Sequence, residues 1–244
     1  MQSDLNKSNG ISKRLVLTAV IILIAVPLTI AFGIFFLDDK KYYIISLLII
    51  IYTMIPFFMT FEKKRPQARE LLVIAILCAI TVAGRAAFVM LPQVKPVAAI
   101  VIISGVCFGP TSGFLVGAVS AFVSNIFFGQ GPSTPWQMFC FGLIGFLAGI
   151  LFRKGIIQKS RFSLCIFGGI SVIVIYGGII NLSALLMFSA KFSWKALMTI
   201  YAAGIPFDLV HAASTMFFLV VLSNPMIVIL DRIKKKYGLI LISN

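Results

Sequence analysis

Three ionisable side chains interrupt otherwise apolar runs: Arg85, Asp208 and His211. An ionisable group inside a transmembrane helix costs about 2.5–3.5 kcal/mol on insertion scales, so each is a candidate for binding or proton movement. Arg85 lies six residues before Leu91, which puts it about 9 Å below the end of its run at the helical rise. Asp208 lies eleven residues after Leu197, at a similar or slightly greater depth. His211 follows Asp208 at i+3, on the same helical face. Asn125 and Asn181 add side-chain amides near the corresponding ends of two further runs. Polar groups from four runs therefore converge on one half of a membrane, an arrangement suited to a polar substrate cavity. The plainer alternative is an Arg85–Asp208 ion pair that only ties helices together, beside a satisfied core histidine. Asp208 and His211 also have the group types that a proton relay needs.

Above that level lies Gly129-Gln130-Gly131-Pro132-Ser133-Thr134-Pro135-Trp136-Gln137-Met138. Its glycines and prolines impose a non-helical path. Irregular backbone near a membrane surface is tolerated where it lines a cavity. Gln130 and Gln137 supply amides, and Trp136 suits an interfacial position. The stretch is expected to close the cavity, with an ordinary extracellular turn as the alternative.

The elements that position these groups follow from composition. The 244 residues are 60% hydrophobic and 11% charged, with a mean hydropathy of +1.08. Soluble domains carry about 25% charged residues. Apolar runs of membrane-spanning length recur along the whole chain. Eight spans are expected, roughly 15–37, 43–61, 70–91, 96–109, 112–128, 136–152, 162–189 and 197–230. The fourth and fifth are short and meet at Gly109-Pro110, so they are either two short helices or one re-entrant hairpin.

The net charge of +14 could indicate nucleic acid, but its placement argues for a bilayer. Lys and Arg cluster in alternate short loops, fifteen against five, with Arg85 inside a span. That is the positive-inside pattern. It predicts a multi-pass protein of the cell membrane with both termini cytoplasmic. Cys78, Cys107, Cys140 and Cys165 all lie in apolar stretches and read as buried small side chains rather than metal ligands or disulfides. No phosphate-binding loop and no hydrolase or zinc-protease motif is present, so the chain is expected to be neither an ATPase nor another enzyme.

Small residues form a further pattern. Ala75, Ala79, Ala83 and Ala87 recur at i+4, as do Gly113, Gly117 and Ala121, and in part Gly142, Gly145 and Gly149. Such stripes let helices approach closely in lipid. Packing within the chain is the preferred reading for the glycine sets, while the alanine stripe suits a docking face equally well.

These residues resemble a known family. Gly84-Arg85, Leu91-Pro92, Lys95-Pro96, Gly109-Pro110, Gly113, Gly117, Ser124-Asn125 and the pattern from Asn125 to Met138 are similar to the substrate-binding, or S, component of energy-coupling factor (ECF) transporters. Pro206-Phe207-Asp208-Leu209-Val210-His211 and the end from Arg232 to Gly238 carry the same resemblance. The resemblance implies an all-α integral membrane fold with a six-helix core over 69–244. The segment 1–68, with two additional helices, departs from the common pattern. It also implies capture of a vitamin from outside, docking on a transmembrane coupling subunit through the Ala75–Ala87 stripe, and energy from two partner ATPases. The chain itself would bind no cofactor. The Trp-Gln-Met loop is similar to that of S components associated with cobalamin or related corrinoids, which makes cobalamin the first substrate expected. The expected substrate contacts are Arg85, Asn125, Gln130, Trp136, Gln137, Asn181, Asp208 and His211. A stand-alone proton-coupled transporter is the competing reading, and a membrane anchor without substrate is the third.

Overall fold

The computed structural model describes residues 51, 54, 55, 68–131, 133–153, 155–188 and 193–237. The chain falls into two compact units, Met1–Pro56 and Phe57–Asn244. The two helices expected over 15–37 and 43–61 lie outside the described residues, apart from Ile51, Met54 and Ile55, which are helical.

In the second unit every described element is a helix: α1 (Ala68–Ala87), α2 (Val97–Phe108), α3 (Pro110–Phe128), α4 (Thr134–Arg153), α5 (Arg161–Ser171), α6 (Gly178–Phe188) and α7 (Trp194–Tyr237). A π-helical turn, Val172–Gly177, joins α5 to α6, so that Arg161–Met187 forms one apolar span. Among the described residues, five helical spans are long and apolar enough to cross a membrane, and α2 is a shorter apolar helix. The six-helix, all-α membrane core is therefore as expected, and its boundaries agree with the predicted spans to within a few residues except at the ends of α1 and α7.

Local chemistry explains several boundaries. Gly109 holds φ 93° between α2 and α3, and Pro110 follows at the first helical position, where its missing N–H is no loss. Ser160 caps α5 by accepting a hydrogen bond from the Ser163 amide at 3.1 Å. Pro206 and Pro225 lie inside α7, and each removes one backbone donor from the helical ladder.

The core sits on α2. Its residues from Val97 to Cys107 are all buried, which accounts for a sequence apolar on every side. At twelve residues α2 is only about 18 Å long, short of the roughly 30 Å hydrocarbon layer. The non-helical segment 88–96 precedes it and folds back toward the bundle. Around α2 the glycine sets pack internally. An added Cβ at Gly113 would meet the Gly145 carbonyl, one at Gly117 the Phe141 carbonyl, and one at Gly149 the backbone of Pro110. The alanine stripe behaves differently: Ala75, Ala79, Ala83 and Ala87 are exposed, while Val73, Ile74, Leu77, Cys78 and Thr81 on the opposite face of α1 are buried. The four cysteines are buried and unpaired.

One end of the bundle is basic. Arg69 lies over the Tyr237 ring at 5.8 Å, Lys234 over Phe108 at 5.9 Å, and Arg153 donates to the Phe108 carbonyl at 3.1 Å. These contacts gather the start of α1, the end of α2 and the ends of α4 and α7. The sequence-predicted polar groups lie toward the other end.

Candidate functional site

Arg85 is positioned by the last turn of α1 and reaches α3. Its Nη1 donates to Ser124 Oγ at 2.6 Å and to Asn125 Oδ1 at 2.7 Å, and its guanidinium lies over the Phe128 ring at 5.1 Å. Asn125 is buried and spends its remaining hydrogen-bonding capacity on α4. Its Nδ2 donates to Thr134 Oγ1 at 3.1 Å and to Gln137 Oε1 at 2.9 Å. Thr134 Oγ1 also accepts from the Gly131 amide at 3.2 Å. Asn125 thus ties the cation, the end of α3, the start of α4 and the root of the Gly129–Pro135 loop into one network.

Asp208 is not part of it. Its Oδ2 accepts from Asn181 Nδ2 at 2.8 Å, and the carboxyl lies directly over Gly177, where a Cβ would collide with it. Gly204 leaves matching room for the Asn181 amide. Tyr201 donates to the Gly178 carbonyl at 2.6 Å, two turns before Asp208 along α7. The Arg85–Asp208 ion pair, the plainer alternative for these charges, does not form. Arg85 is committed to α3, Asp208 to the π-turn and α6, and among the described residues the ion pair formed is Lys234–Asp231 at the basic end.

Between the two networks stand Tyr176, His211 and Lys95. Tyr176 comes from the π-turn, an element that sets a side chain off the regular helical face and is frequent at functional sites. Its ring meets His211 edge-on at a centroid distance of 4.7 Å and Phe141 at 4.8 Å. His211 is 1% exposed, and neither ring nitrogen has a hydrogen-bond partner. It makes no hydrogen bond to Asp208, its i+3 neighbour on α7. Lys95 Nζ lies 5.9 Å from the centre of the Tyr176 ring.

Lys95 is not among the expected substrate contacts; the sequence offers it only as a loop charge and as part of the Lys95-Pro96 resemblance. Two distant contacts turn it inward. The Lys95 amide donates to Ser214 Oγ of α7 at 3.0 Å, across 119 residues of sequence. Pro96 seats against Gly84, where any side chain would clash with its ring. Burial, and then the positive charge of Arg85, push the Lys95 ammonium down to about 8 from its ordinary value of 10.5.

The remaining expected residues divide. Gln137 joins the Asn125 network. Trp136 is buried, 5% exposed, with Nε1 unpartnered, rather than interfacial. It begins α4 and packs inward with that helix. Gln130 is exposed and donates to the Phe122 carbonyl at 3.1 Å, so its amide serves the end of α3 rather than the polar networks. Besides Lys95, the sequence reading missed Ser124, Thr134, Tyr176 and Ser214. The Ser124-Asn125 pair and the Gly177-Gly178 pair were the signals available for two of these positions.

Among curated proteins and among solved structures, neither comparison returns a match. Residues 69–223 match the family described as ECF transporter, substrate-specific component.

Proposed function

The chain belongs to the family of ECF transporter substrate-specific components, and on that premise we propose that it captures a vitamin at the outer face of the cell membrane and delivers it inward. Family membership and the apolar helical core make it a multi-pass membrane protein and a transporter subunit. Its energy would come from partners, two cytoplasmic ATPases acting through a transmembrane coupling subunit. The basic end of the bundle would face the cytoplasm, with both termini on that side, because Lys and Arg are retained there.

One observation carries the capture reading. His211 Nδ1 and Nε2 and Trp136 Nε1 are buried without hydrogen-bond partners, on helices that meet around Tyr176 and Lys95 at the end opposite the basic cluster. Buried polar atoms are nearly always satisfied in a completed structure. A bound molecule would supply the missing partners. The folded-back segment 88–96 and the root of the Gly129–Pro135 loop supply irregular backbone of the kind that lines a membrane cavity.

Cobalamin is the first substrate to test, from the likeness of the Trp136-Gln137-Met138 loop. Vesicles holding this protein with a coupling module and ATP should accumulate labelled cobalamin. Uptake of a different vitamin by the same vesicles would replace the substrate and keep the capture reading. Accumulation by this chain alone, driven by an imposed pH gradient, would remove the partner-dependent reading.

A further inference from the structure

We infer that the captured molecule carries an anionic group, a carboxylate or a phosphate, and that this group is seated by Arg85 and Lys95. The inference rests on the capture reading and names the substrate class of the same site.

The argument is one of charge balance. Arg85 and Lys95 are both half-buried, and they are neighbours because the adjoining residues Gly84 and Pro96 pack directly against each other. Two neighbouring cations drawn out of water without a counter-ion are costly. The carboxylates described in this unit are Glu70, Asp208 and Asp231. Glu70 and Asp231 belong to the basic end, at the start of α1 and near the end of α7. Asp208 is held by Asn181 over Gly177 and bonds neither cation. Arg85 is offered only neutral acceptors, Ser124 and Asn125, which orient a guanidinium without cancelling its charge. Lys95 has the face of Tyr176 beside it and, among the described residues, no carboxylate partner.

The placement is also built. Ser214 and Gly84 fix the Lys95 backbone from two helices. The network of Asn125, Thr134 and Gln137 fixes Arg85 from two more. Four helices thus hold two cations in place where no described residue provides an anion. His211, 1% exposed and unpartnered beside Tyr176, is a second polar group lacking an acceptor or donor in the same region. A ligand anion would neutralise the cations, and the adjoining part of the ligand could meet the imidazole. Charge-assisted hydrogen bonds to such an anion are stronger than those to a neutral group.

The test uses the full chain in phosphatidylcholine nanodiscs and calorimetric titration with matched pairs: nicotinate and nicotinamide, pantothenate and panthenol, biotin and its methyl ester, pyridoxal 5′-phosphate and pyridoxal, with cobalamin as a phosphodiester probe. At least one anionic compound should bind, its neutral counterpart at least about tenfold more weakly. Lys95→Gln and Arg85→Gln should each reduce that preference, while Lys95→Arg should keep it. The carboxylate and phosphate members separate the two anion chemistries. If a neutral compound binds as tightly as its acid, the anion inference fails and the capture reading stands. If phosphatidylglycerol nanodiscs abolish anion binding, the cations seat a lipid headgroup, and the inference is overturned. If no compound binds to protein that still melts cooperatively, the inference and the capture reading fall together.

Discussion

Lys95 and Asn125 show how single side chains set the chemistry of this site. Burial and Arg85 lower the Lys95 pKa to about 8 in the folded protein, against 10.5 for the free side chain. The unfolded chain therefore holds more protons than the folded one between those values, and stability rises with pH across that interval. Below about 8 the protonated Lys95 destabilises the fold in full. The groups facing it are Arg85 from α1, Tyr176 from the π-turn and His211 from α7. The melting temperature of the ligand-free protein should climb from pH 8 toward pH 10, and Lys95→Met should remove that part of the slope. Asn125 carries a different kind of prediction. It is 3% exposed and bonds Arg85, Thr134 and Gln137. Asn125→Leu removes a hydrogen bond from each of three polar partners and leaves Arg85 hydrogen-bonded to Ser124 alone. It should cost at least about 1–3 kcal/mol in reversible unfolding, the penalty for a buried group left unsatisfied, and should weaken ligand binding by releasing Arg85. A variant that unfolds like the wild type would show that water replaces the amide without loss.

At the scale of elements, the glycines decide how close the helices come. Gly177 lets Asp208 lie on the π-turn, and Gly145 lets α4 touch α2 and α3. Gly145→Leu should therefore prevent folding or sharply lower the melting temperature, because the obstructing atoms are chiefly backbone and cannot swing aside. Gly177→Ala should displace Asp208 from Asn181 with a smaller loss, since a side chain can move, and a cross-linking or fluorescence probe between α6 and α7 would report the shift. The helices themselves were legible in the sequence because apolar runs, Gly109-Pro110 and the Gly129–Pro135 stretch mark their ends. The π-turn was not, because Val172–Gly177 is as apolar as the helices on either side and its extra residue leaves no compositional trace. The site was half legible. Arg85, Asn125 and Gln137 stand out as polar interruptions, and they do meet. Lys95 does not stand out, since a lysine beside Pro96 in a short loop looks solvated. Only Ser214, 119 residues away, and the gap at Gly84 turn it inward. The Arg85–Asp208 pair failed for the same reason: depth along a helix can be read from sequence, but the neighbour across the bundle cannot.

At the scale of the whole molecule, the two faces of α1 separate packing from partnership. Val73, Ile74, Leu77 and Cys78 bury one face against the core, while Ala75, Ala79, Ala83 and Ala87 lie on the exposed face together with Leu72, Ile76 and Ile80. A stripe of small residues gains little from lipid, whose chains pack against any apolar surface. It gains more from a helix of another protein, because small side chains let two backbones come close and interact by dispersion along their length. The proposal that the coupling subunit docks there predicts a dissociation of effects. Ala79→Trp combined with Ala83→Trp adds bulk outside the core and away from Arg85's partners on α3. The purified variant should melt close to the wild type and titrate with ligand as before. Co-purification with the coupling subunit should fall. ATP-driven uptake in reconstituted vesicles should drop at least about tenfold, since a few residues near the centre of an interface carry most of its binding energy and two indoles there would hold the helices apart. Full uptake by the double variant would place the docking face elsewhere on the molecule. Loss of ligand binding together with uptake would instead mean that this face of α1 supports the site, and that capture and coupling share one helix.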